Sequence, residues 1–216
     1  MSADPILLGH RGARADRSAP ENTIASFDLA LEHGCHGIEF DLRLTGCGRA
    51  IVCHDPRVGK ISVSCANSRQ LRYLPSLDDV LRHFGHRVFL DIELKVPGLE
   101  SKVLAALRER NRHANCVVSS FLPEVIMELK ARSGVVPTGI ICSRARQLVR
   151  WRELPCDYVI VHHSLITRRL IAVIQETGRK IFAWTVNDRA SMTRLANWGI
   201  NGLISDDTRL LAQTLG

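Results

Sequence analysis

Two acidic residues stand two positions apart in residues 38–43, a run that otherwise has the apolar character of a buried strand. They are Glu39 and Asp41, and because side chains alternate along a strand, both lie on the same face. Like charges side by side repel each other and are costly to bury, so a cation usually neutralises such a pair. We interpret the pair as part of a metal site. The alternative is one paired acid and one solvated acid at a strand end.

A third acid, Glu93, lies in another strand-like run, residues 88–95. With Glu39 and Asp41 it would form an all-oxygen cluster, and such ligands suit Mg²⁺ or Ca²⁺ better than zinc. The alternative for Glu93 is a structural ion pair with Lys95, which lies two positions along the same strand face.

Two histidines follow or end strand-like runs, and either could transfer a proton near neutral pH. They are His10 and His54, and Asp55 is placed to orient a neighbouring group. A lone histidine is more often structural than catalytic, but two beside a predicted metal site favour catalysis. The other seven histidines are interpreted as structural.

Two cations and one large aromatic residue complete the candidate site. Arg11 and Lys95 could stabilise the charge that develops on a phosphodiester anion. Trp184 stands at the end of a late strand-like run, where its apolar face could contact the part of a substrate that does not react. The alternative for Trp184 is a place in the core.

These residues need a fold that brings distant strand ends together. Residues 50–55 return after a tight turn that is too short for a crossover helix, which predicts an antiparallel hairpin after the second strand. The remaining apolar runs alternate with helical patterns, and eight such units favour a compact (β/α)₈ TIM barrel of the α/β class. The eight runs are residues 6–9, 38–43, 88–95, 116–119, 138–141, 158–161, 180–184 and 202–204.

The barrel prediction has one rival and one strong consequence. An open doubly wound sheet is the alternative, but no glycine-rich dinucleotide fingerprint follows the first strand. In a closed barrel the carboxyl ends of all strands meet at one rim, where active sites lie. His10, Glu39 and Glu93 would then converge there, although they are far apart in sequence.

The composition indicates one globular domain over residues 1–216, with 45% hydrophobic and 24% charged residues and a net charge of +7. The charge favours anionic partners, but the basic residues are scattered, and the densest run, residues 144–152, is predicted to be helical. The charge alone does not choose among nucleic acid, a membrane surface and a small phosphorylated molecule. No nucleic-acid motif is present, and a solvated basic face is the expected interpretation. The sequence does not indicate an oligomeric state.

Seven cysteines, without any C-x-x-C spacing, are expected to be mostly reduced core thiols. They favour a cytoplasmic location. No signal peptide is expected before the first strand, and no apolar run is long enough to cross a bilayer.

Seven short motifs occur in a characteristic order between residue 6 and about residue 206. Each is weak, but the ordered set closely resembles the glycerophosphodiester phosphodiesterase family over nearly the whole chain. The motifs are His10-Arg11-Gly12, Pro20-Glu21-Asn22-Thr23, Glu39-Phe40-Asp41, His54-Asp55-Pro56, Glu93-Leu94-Lys95, Ser119-Ser120-Phe121 and Trp184-Thr185-Val186-Asn187.

The resemblance implies a TIM barrel and metal-dependent hydrolysis of a glycerophosphodiester to glycerol 3-phosphate and an alcohol. It assigns each candidate residue a role by its match to a family motif. Glu39, Asp41 and Glu93 would bind one Mg²⁺ or Ca²⁺ ion, His10 and His54 would act as general acid and base, Arg11 and Lys95 would contact the phosphate, Glu21 would support the metal or the glycerol, and Trp184 would line the glycerol side.

The sequence departs from the family pattern in two places. The family usually inserts a small subdomain after the His-Asp-Pro motif, often beginning Asp-Arg-Thr-Thr, whereas residues 57–60 here read Arg-Val-Gly-Lys and the next helix follows after about twenty residues. The hairpin turn, residues 45–48, reads Thr-Gly-Cys-Gly where Thr-Lys-Asp-Gly is common. No matched catalytic position is lost. Two alternatives to glycerophosphodiester hydrolysis stay open: a lysophospholipase D-like activity on acylated diesters, and a barrel that binds phosphodiesters without turnover.

Overall fold

Eight parallel strands close into a barrel in the computed structural model, which describes residues 4–84, 86, 88–112 and 114–216. The first strand pairs with both the second and the last, which closes the sheet and confirms the predicted TIM barrel. The parallel strands are β1 (Ile6–His10), β2 (Gly37–Leu44), β6 (Phe89–Leu94), β7 (Cys116–Ser120), β8 (Thr138–Cys142), β9 (Tyr158–His162), β10 (Lys180–Trp184) and β11 (Gly202–Ser205).

The predicted hairpin is present. Strand β3 (Ala50–Val52) runs antiparallel to β2, with Leu42 opposite Val52. A second small hairpin follows, in which β4 (Arg57–Val58) runs antiparallel to β5 (Ile61–Ser62). A short 3₁₀ helix, Val63–Cys65, follows it.

Helices cover the outside of the barrel. They are α1 (Ile24–Glu32), α2 (Leu77–His83), α3 (Glu100–Glu109), α4 (Pro123–Arg132), α5 (Ala145–Leu148), α6 (Arg168–Gln175), α7 (Arg189–Asn197) and α8 (Thr208–Leu215). Their starts follow local chemistry: the Thr23 and Asp188 side chains accept hydrogen bonds from the first turns of α1 and α7, and Ser76 and Asp79 form a capping box at the start of α2.

The basic run at residues 144–152 is only partly α-helical, contrary to the expectation of one helix. It forms the single turn α5 and then a 3₁₀ helix, Val149–Glu153. The buried Trp151 accounts for part of this change, because it anchors the segment while the guanidinium groups of Arg152 and Arg179 lie 4.6 and 5.1 Å from its ring centroid.

The core is arranged in concentric layers. Large side chains fill the barrel interior, and apolar residues between the sheet and the helices form two further clusters. The interior layer contains Leu8, Phe89, Val117, Ile141, Tyr158, Ile160, Phe182 and Ile204. A filled barrel leaves the carboxyl rim as the place for a ligand.

Most of the cysteines are buried, as expected. Five of the seven cysteines are buried free thiols, and only Cys47 and Cys65 are exposed. Residues 1–3 of the predicted domain and His113, one of the histidines interpreted as structural, lie outside the described residues. Within the described residues, no helix has both the length and the apolar character that crossing a membrane requires.

Candidate active site

The carboxyl ends of the barrel strands surround a cavity of about 130 Å³. One side of the cavity is ionisable and the other is apolar. Its ionisable lining consists of His10, Arg11, Glu39, His54, Asp91, Glu93 and Lys95, and its apolar lining of Phe121, Ile141, Ile160, Trp184 and Ile204. The rim thus brings together candidates from strands β1, β2, β6 and β10, as the barrel prediction requires.

Three buried carboxylates form a compact cluster at this rim. Glu39 and Asp41 lie on β2, and the parallel register places Asp41 directly beside Glu93 on β6. One ligand oxygen from each residue lies within 4.8 Å of the other two. The three residues are 5%, 1% and 6% exposed, so water screens the repulsion between their charges only weakly.

The surroundings act on these carboxyl groups in opposite directions. Burial, together with the neighbouring carboxyl groups, raises the pKa of Glu39 well above its usual range. Burial also raises the pKa of Glu93 to about 7. Burial alone would raise the pKa of Asp41, but the Lys95 and Arg11 cations outweigh it and hold that pKa below its usual range.

The cluster fits a divalent cation. Two oxygens bound to one ion at 2.0–2.6 Å can be at most about 5 Å apart, and the three ligand oxygens satisfy this limit. The all-oxygen donor set suits a hard cation such as Mg²⁺ or Ca²⁺. Asp41 Oδ1 is buried and accepts no hydrogen bond among the described residues, although the Lys95 ammonium lies 3.3 Å from it.

A fourth acid, Asp91, lies in the same cavity and was missed by sequence reasoning. It is 1% exposed, it stands opposite Glu39 in the β2–β6 register, and burial raises its pKa to about 7. Ser119 Oγ donates a hydrogen bond of 2.5 Å to Asp91 Oδ1. The available signal was the spacing: Asp91 and Glu93 are two positions apart on one strand, as Glu39 and Asp41 are.

The two predicted phosphate-binding cations border the acidic cluster. Lys95 Nζ lies 2.7 Å from Glu93 Oε1 and 3.3 Å from Asp41 Oδ1. Arg11 Nε lies 3.2 Å from Asp41 Oδ2. The structural ion pair considered for Glu93 is therefore present, and it lies inside the cluster. With Asp91 included, four carboxyl groups lie beside these two cations.

The backbone conformation of the loop after β1 positions Arg11. Arg11 has a φ of +56°, and the following Gly12 has a φ of +87° and packs so tightly that a Cβ there would lie 2.4 Å from Ser26 Oγ. A glycine is therefore required beside α1. The Arg11 amide, in turn, donates a hydrogen bond to Glu39 Oε2 at 3.1 Å.

His10 is held by a carboxylate that the sequence did not reveal. Its Nδ1 donates to Asp206 Oδ1 at 2.7 Å, and its Nε2 lies 3.9 Å from Glu39 Oε2. Asp206 also accepts hydrogen bonds from Arg14 and Asn187. Burial alone would raise the pKa of Asp206, but the His10 contact outweighs it and lowers that pKa well below its usual range.

His54 has a corresponding but more exposed partner. Its Nδ1 donates to Asp55 Oδ1 at 2.7 Å, which is the orienting contact expected for Asp55. Burial lowers the pKa of His54 below its ordinary value, because the imidazolium is the charged form. Hairpin strand β3 delivers His54 to the rim, where its ring lines the cavity.

Of the two remaining predicted substrate-binding residues, Trp184 lines the cavity and Glu21 does not. Glu21 is not part of the cavity lining; it accepts hydrogen bonds from Arg11 Nη1 at 2.9 Å and Arg14 Nε at 2.5 Å. Trp184 lines the cavity and packs edge-to-face on Phe121, with ring centroids 5.5 Å apart. Its Nε1 is buried without a hydrogen-bond partner among the residues described, so it could donate to a substrate oxygen.

Asn22 lies in the loop before α1 and contacts the acidic cluster. Its Nδ2 donates to Asp41 Oδ2 at 2.8 Å, while the following Thr23 caps α1. Asn22 adopts a φ of +58°, which asparagine tolerates better than most residues. The residue therefore orients a carboxylate of the acidic cluster.

Comparisons with known proteins agree with the resemblance found in the sequence. A family model described as the glycerophosphoryl diester phosphodiesterase family matches residues 10–75 and 69–210. The chain is 30% identical to the protein YhdW of Bacillus subtilis over 93% of each chain. It is 28% identical to a glycerophosphodiester phosphodiesterase of Caldanaerobacter subterraneus, covering 95% of this chain and 96% of that one.

A solved structure supports the fold. The chain superposes with a TM-score of 0.84 on a phosphodiesterase of Oleispira antarctica in complex with the product sn-glycerol-3-phosphate, at 24% identity, covering 98% of this chain and 96% of that one. The family model and the similarity to YhdW both extend over most of the chain, so they show which family the chain belongs to. The chain belongs to the glycerophosphoryl diester phosphodiesterase family, a family of phosphoric diester hydrolases.

Proposed function

We propose that this protein hydrolyses glycerophosphodiesters to glycerol 3-phosphate and an alcohol, with one divalent cation, Mg²⁺ or Ca²⁺, held by Glu39, Asp41 and Glu93. The family generally depends on divalent metal ions. The observation that carries the proposal is the approach of three buried carboxylates to within 4.8 Å at a rim that also holds His10, His54 and two cations.

The substrate phosphate would lie beside Arg11 and Lys95. Both side chains are cationic and border the acidic cluster, so each can stabilise charge on the nonbridging phosphate oxygens. When bound, the cation would add electrophilic stabilisation of the same charge. Trp184 and Phe121 would face the glycerol, whose hydroxyl groups could accept a hydrogen bond from the Trp184 indole.

The two histidines would divide the proton transfers. Hydrolysis forms a bond from phosphorus to the oxygen of water and breaks the bond to the alcohol oxygen. If a neighbouring substrate hydroxyl attacks first, the alcohol leaves and a cyclic phosphate forms, which water must then open to give glycerol 3-phosphate. His54, whose pKa is lowered by burial, is neutral near pH 7 and suited to accept the proton of the attacking oxygen. His10, held through Nδ1 by the Asp206 carboxylate, is suited to donate a proton to the leaving alcohol from Nε2.

The proposal also includes the location, the domain organisation and the partner of the protein. Five buried free thiols support a reducing, cytoplasmic location, and the closed barrel supports a single domain over residues 1–216. A small glycerophosphodiester, rather than nucleic acid, is the proposed partner. The complete set of acids, histidines and cations argues against a barrel that only binds its ligand.

The test is release of glycerol 3-phosphate from a substrate panel. Purified protein is incubated with glycerophosphocholine, glycerophosphoethanolamine, glycerophosphoglycerol or glycerophosphoinositol, and with Mg²⁺ or Ca²⁺. A coupled glycerol-3-phosphate assay measures product. We expect release from at least one substrate with metal and none with excess chelator; no release from any combination would contradict the proposed function.

A further inference from the structure

Arg43 is the next residue on the strand face that carries Glu39 and Asp41. All three belong to β2, and because side chains alternate along a strand, they face the same way. Arg43 is half-buried, and no carboxylate lies within ion-pair distance of its guanidinium group among the residues that the structure describes. Arg11 and Lys95, by contrast, both lie against Asp41.

The one hydrogen bond that the Arg43 side chain makes in the described part of the chain goes to the backbone of His54. Arg43 Nε donates to the carbonyl oxygen of His54 at 2.7 Å. A bond of this length from a charged donor is a strong one. It joins β2 to the segment that follows β3.

His54 depends on this contact because it lies beyond the paired part of the hairpin. Strand β3 ends at Val52, and after it the Cys53 amide donates to the Asp41 carbonyl at 2.9 Å. Within the described residues, the backbone N–H and carbonyl groups of His54 make no hydrogen bond other than the one from Arg43. Arg43 therefore fixes the backbone from which the His54 ring projects.

The hairpin gives Arg43 a rigid base. Arg43 stands opposite Ile51 in the β2–β3 register, and Ile51 is fully buried. The apolar cluster around Ile51 reaches the segment after β5 and contains Ile51, Cys53, Val63, Ala66 and Leu71. Because a close-packed cluster resists displacement, the position of Arg43 relative to the acidic cluster is well defined.

We propose that Arg43 is a positioning residue, which holds the His54 imidazole within reach of the attacking oxygen through its hydrogen bond to the His54 carbonyl. The inference rests on the proposed function, because it takes His54 to be the general base. Arg43 does not line the cavity, so it acts through His54 and not on the substrate. Strand β2 then sets the position of the metal ligands Glu39 and Asp41 and of the base together.

The expected effect follows from the geometry of proton transfer. A base must lie about 2.6–3.2 Å from the oxygen whose proton it accepts, and a displacement of about 1 Å can cost about 100-fold in rate. Asp55 fixes the orientation of the His54 ring through Nδ1, whereas Arg43 fixes the backbone behind it. Loss of the Arg43 contact should therefore lower kcat and leave KM near the wild-type value.

Two substitutions separate the hydrogen bond from the charge. Arg43→Gln places an N–H donor as many bonds from Cα as Arg Nε, so it can still donate to the His54 carbonyl without a charge, whereas Arg43→Met has a similar length and no donor. With glycerophosphocholine and metal, kcat should fall about 10-fold to 100-fold in Arg43→Met and stay within about threefold of wild type in Arg43→Gln. Equal losses in both would assign the effect to the charge and overturn the inference, as would a normal kcat in Arg43→Met.

Arg57→Met is the matched control for these variants. Arg57 Nη2 also donates to a backbone carbonyl, that of Lys60 at 2.8 Å, but Arg57 is exposed and lies in the neighbouring small hairpin. Its kcat should stay near wild type. A loss as large as that in Arg43→Met would mean that any disturbance of this region lowers the rate, and it would overturn the specific role of Arg43.

A double variant shows whether Arg43 acts through His54. Arg43→Met should change kcat by less than about twofold when His54→Ala is already present, because no imidazole is left to position. An equal fold loss in both backgrounds would mean that Arg43 supports the fold or the substrate directly, and it would overturn the inference.

Metal binding provides the last readout. Arg43→Met should keep the rise in melting temperature that Mg²⁺ or Ca²⁺ produces, since Glu39, Asp41 and Glu93 are unchanged. Loss of that rise, or an unfolded variant, would place the role of Arg43 in the acidic cluster or in the fold and overturn the inference. Absence of hydrolysis by the wild-type protein is a different result, which would contradict the proposed function itself.

Discussion

The Nδ1 atom of His10 lies 2.7 Å from Oδ1 of Asp206, although the two residues are 196 positions apart. His10 ends the first barrel strand and Asp206 follows the last, and the pairing of β1 with β11 puts Gly9 beside Ser205. Closing the barrel therefore creates the contact that orients a candidate catalytic histidine. The carboxylate fixes the tautomer that leaves Nε2 facing the acidic cluster.

Replacing Asp206 should impair catalysis through His10. We expect Asp206→Asn to lower kcat by about 10-fold to 100-fold, since the asparagine cannot stabilise the imidazolium of His10 as a carboxylate does. The measurement is kcat and KM separately: kcat should fall while KM stays near the wild-type value, as expected for a residue that positions the group transferring the proton. Asp207→Asn is the matched control, because the Asp207 side chain caps α8 and asparagine caps nearly as well. An unchanged kcat in Asp206→Asn would show that the contact has no catalytic role.

The same residue should also contribute to acid sensitivity. The folded-state pKa of Asp206 is lower than its unfolded value near 4, so its ionised form favours folding above about pH 4 and this contribution is lost as the pH falls further. Asp206→Asn should therefore be less stable than wild type at pH 6, and the difference should shrink toward pH 3. Urea unfolding of both proteins at several pH values measures it. A difference that does not change with pH would contradict this origin.

The acidic cluster should destabilise the metal-free protein and should bind a metal ion when one is added. In the metal-free protein, four carboxyl groups face two cations, so Glu39→Gln should relieve repulsion and raise the melting temperature at pH 7.5. With Mg²⁺ or Ca²⁺ added, wild type should gain stability and Glu39→Gln should gain much less, because one ligand is lost. Thermal unfolding with and without metal measures both effects.

Glu21 provides the control for that experiment. It is a carboxylate near the rim, but its oxygens are occupied by Arg11 and Arg14 and it does not line the cavity. Glu21→Gln should therefore retain nearly the whole metal-induced rise in melting temperature. A loss as large as that in Glu39→Gln would support the metal-supporting role that the family resemblance implies for Glu21.

The pH dependence of activity should report His54. Because burial lowers the pKa of His54, the acidic limb of kcat/KM should lie below pH 6.5, and activity should be lost only as the pH falls through it. His54→Ala should reduce the rate by about 100-fold or more and abolish this limb. The measurement is kcat/KM between pH 4.5 and 8. A near-normal rate in His54→Ala would reassign the base.

Part of this site could be predicted, because the spacing of acidic residues along the sequence shows which of them share a strand face. Glu39 and Asp41 share a strand face, and a barrel must bring Glu93 to the same rim, so the cluster followed from strand periodicity and strand count. Asp206 could not be found in this way. It follows a short apolar strand within Ser-Asp-Asp, where the neighbouring Asp207 is a helix cap, and only barrel closure reveals its partner.

The segment that follows β8 was also beyond local patterns. Residues 144–152 are basic and were expected to form one helix, but the burial of Trp151 holds the segment against the barrel and leaves Arg146 and Arg150 in the lining of a second cavity beside β8. Which side chains line a groove between loops depends on tertiary packing that periodicity does not encode. The small β4–β5 hairpin escaped prediction for a similar reason, since two-residue strands leave no periodic signal.

Hydrolysis should depend on a metal ion held by the carboxylate cluster. The decisive measurement is the rate of glycerol 3-phosphate release as Mg²⁺ or Ca²⁺ is titrated back into chelated protein, followed alongside metal binding by calorimetry. We expect no release at the start and a rate that rises in proportion to one bound ion per chain, with neither binding nor release in Asp41→Asn combined with Glu93→Gln. Full activity in the presence of excess chelator would contradict it.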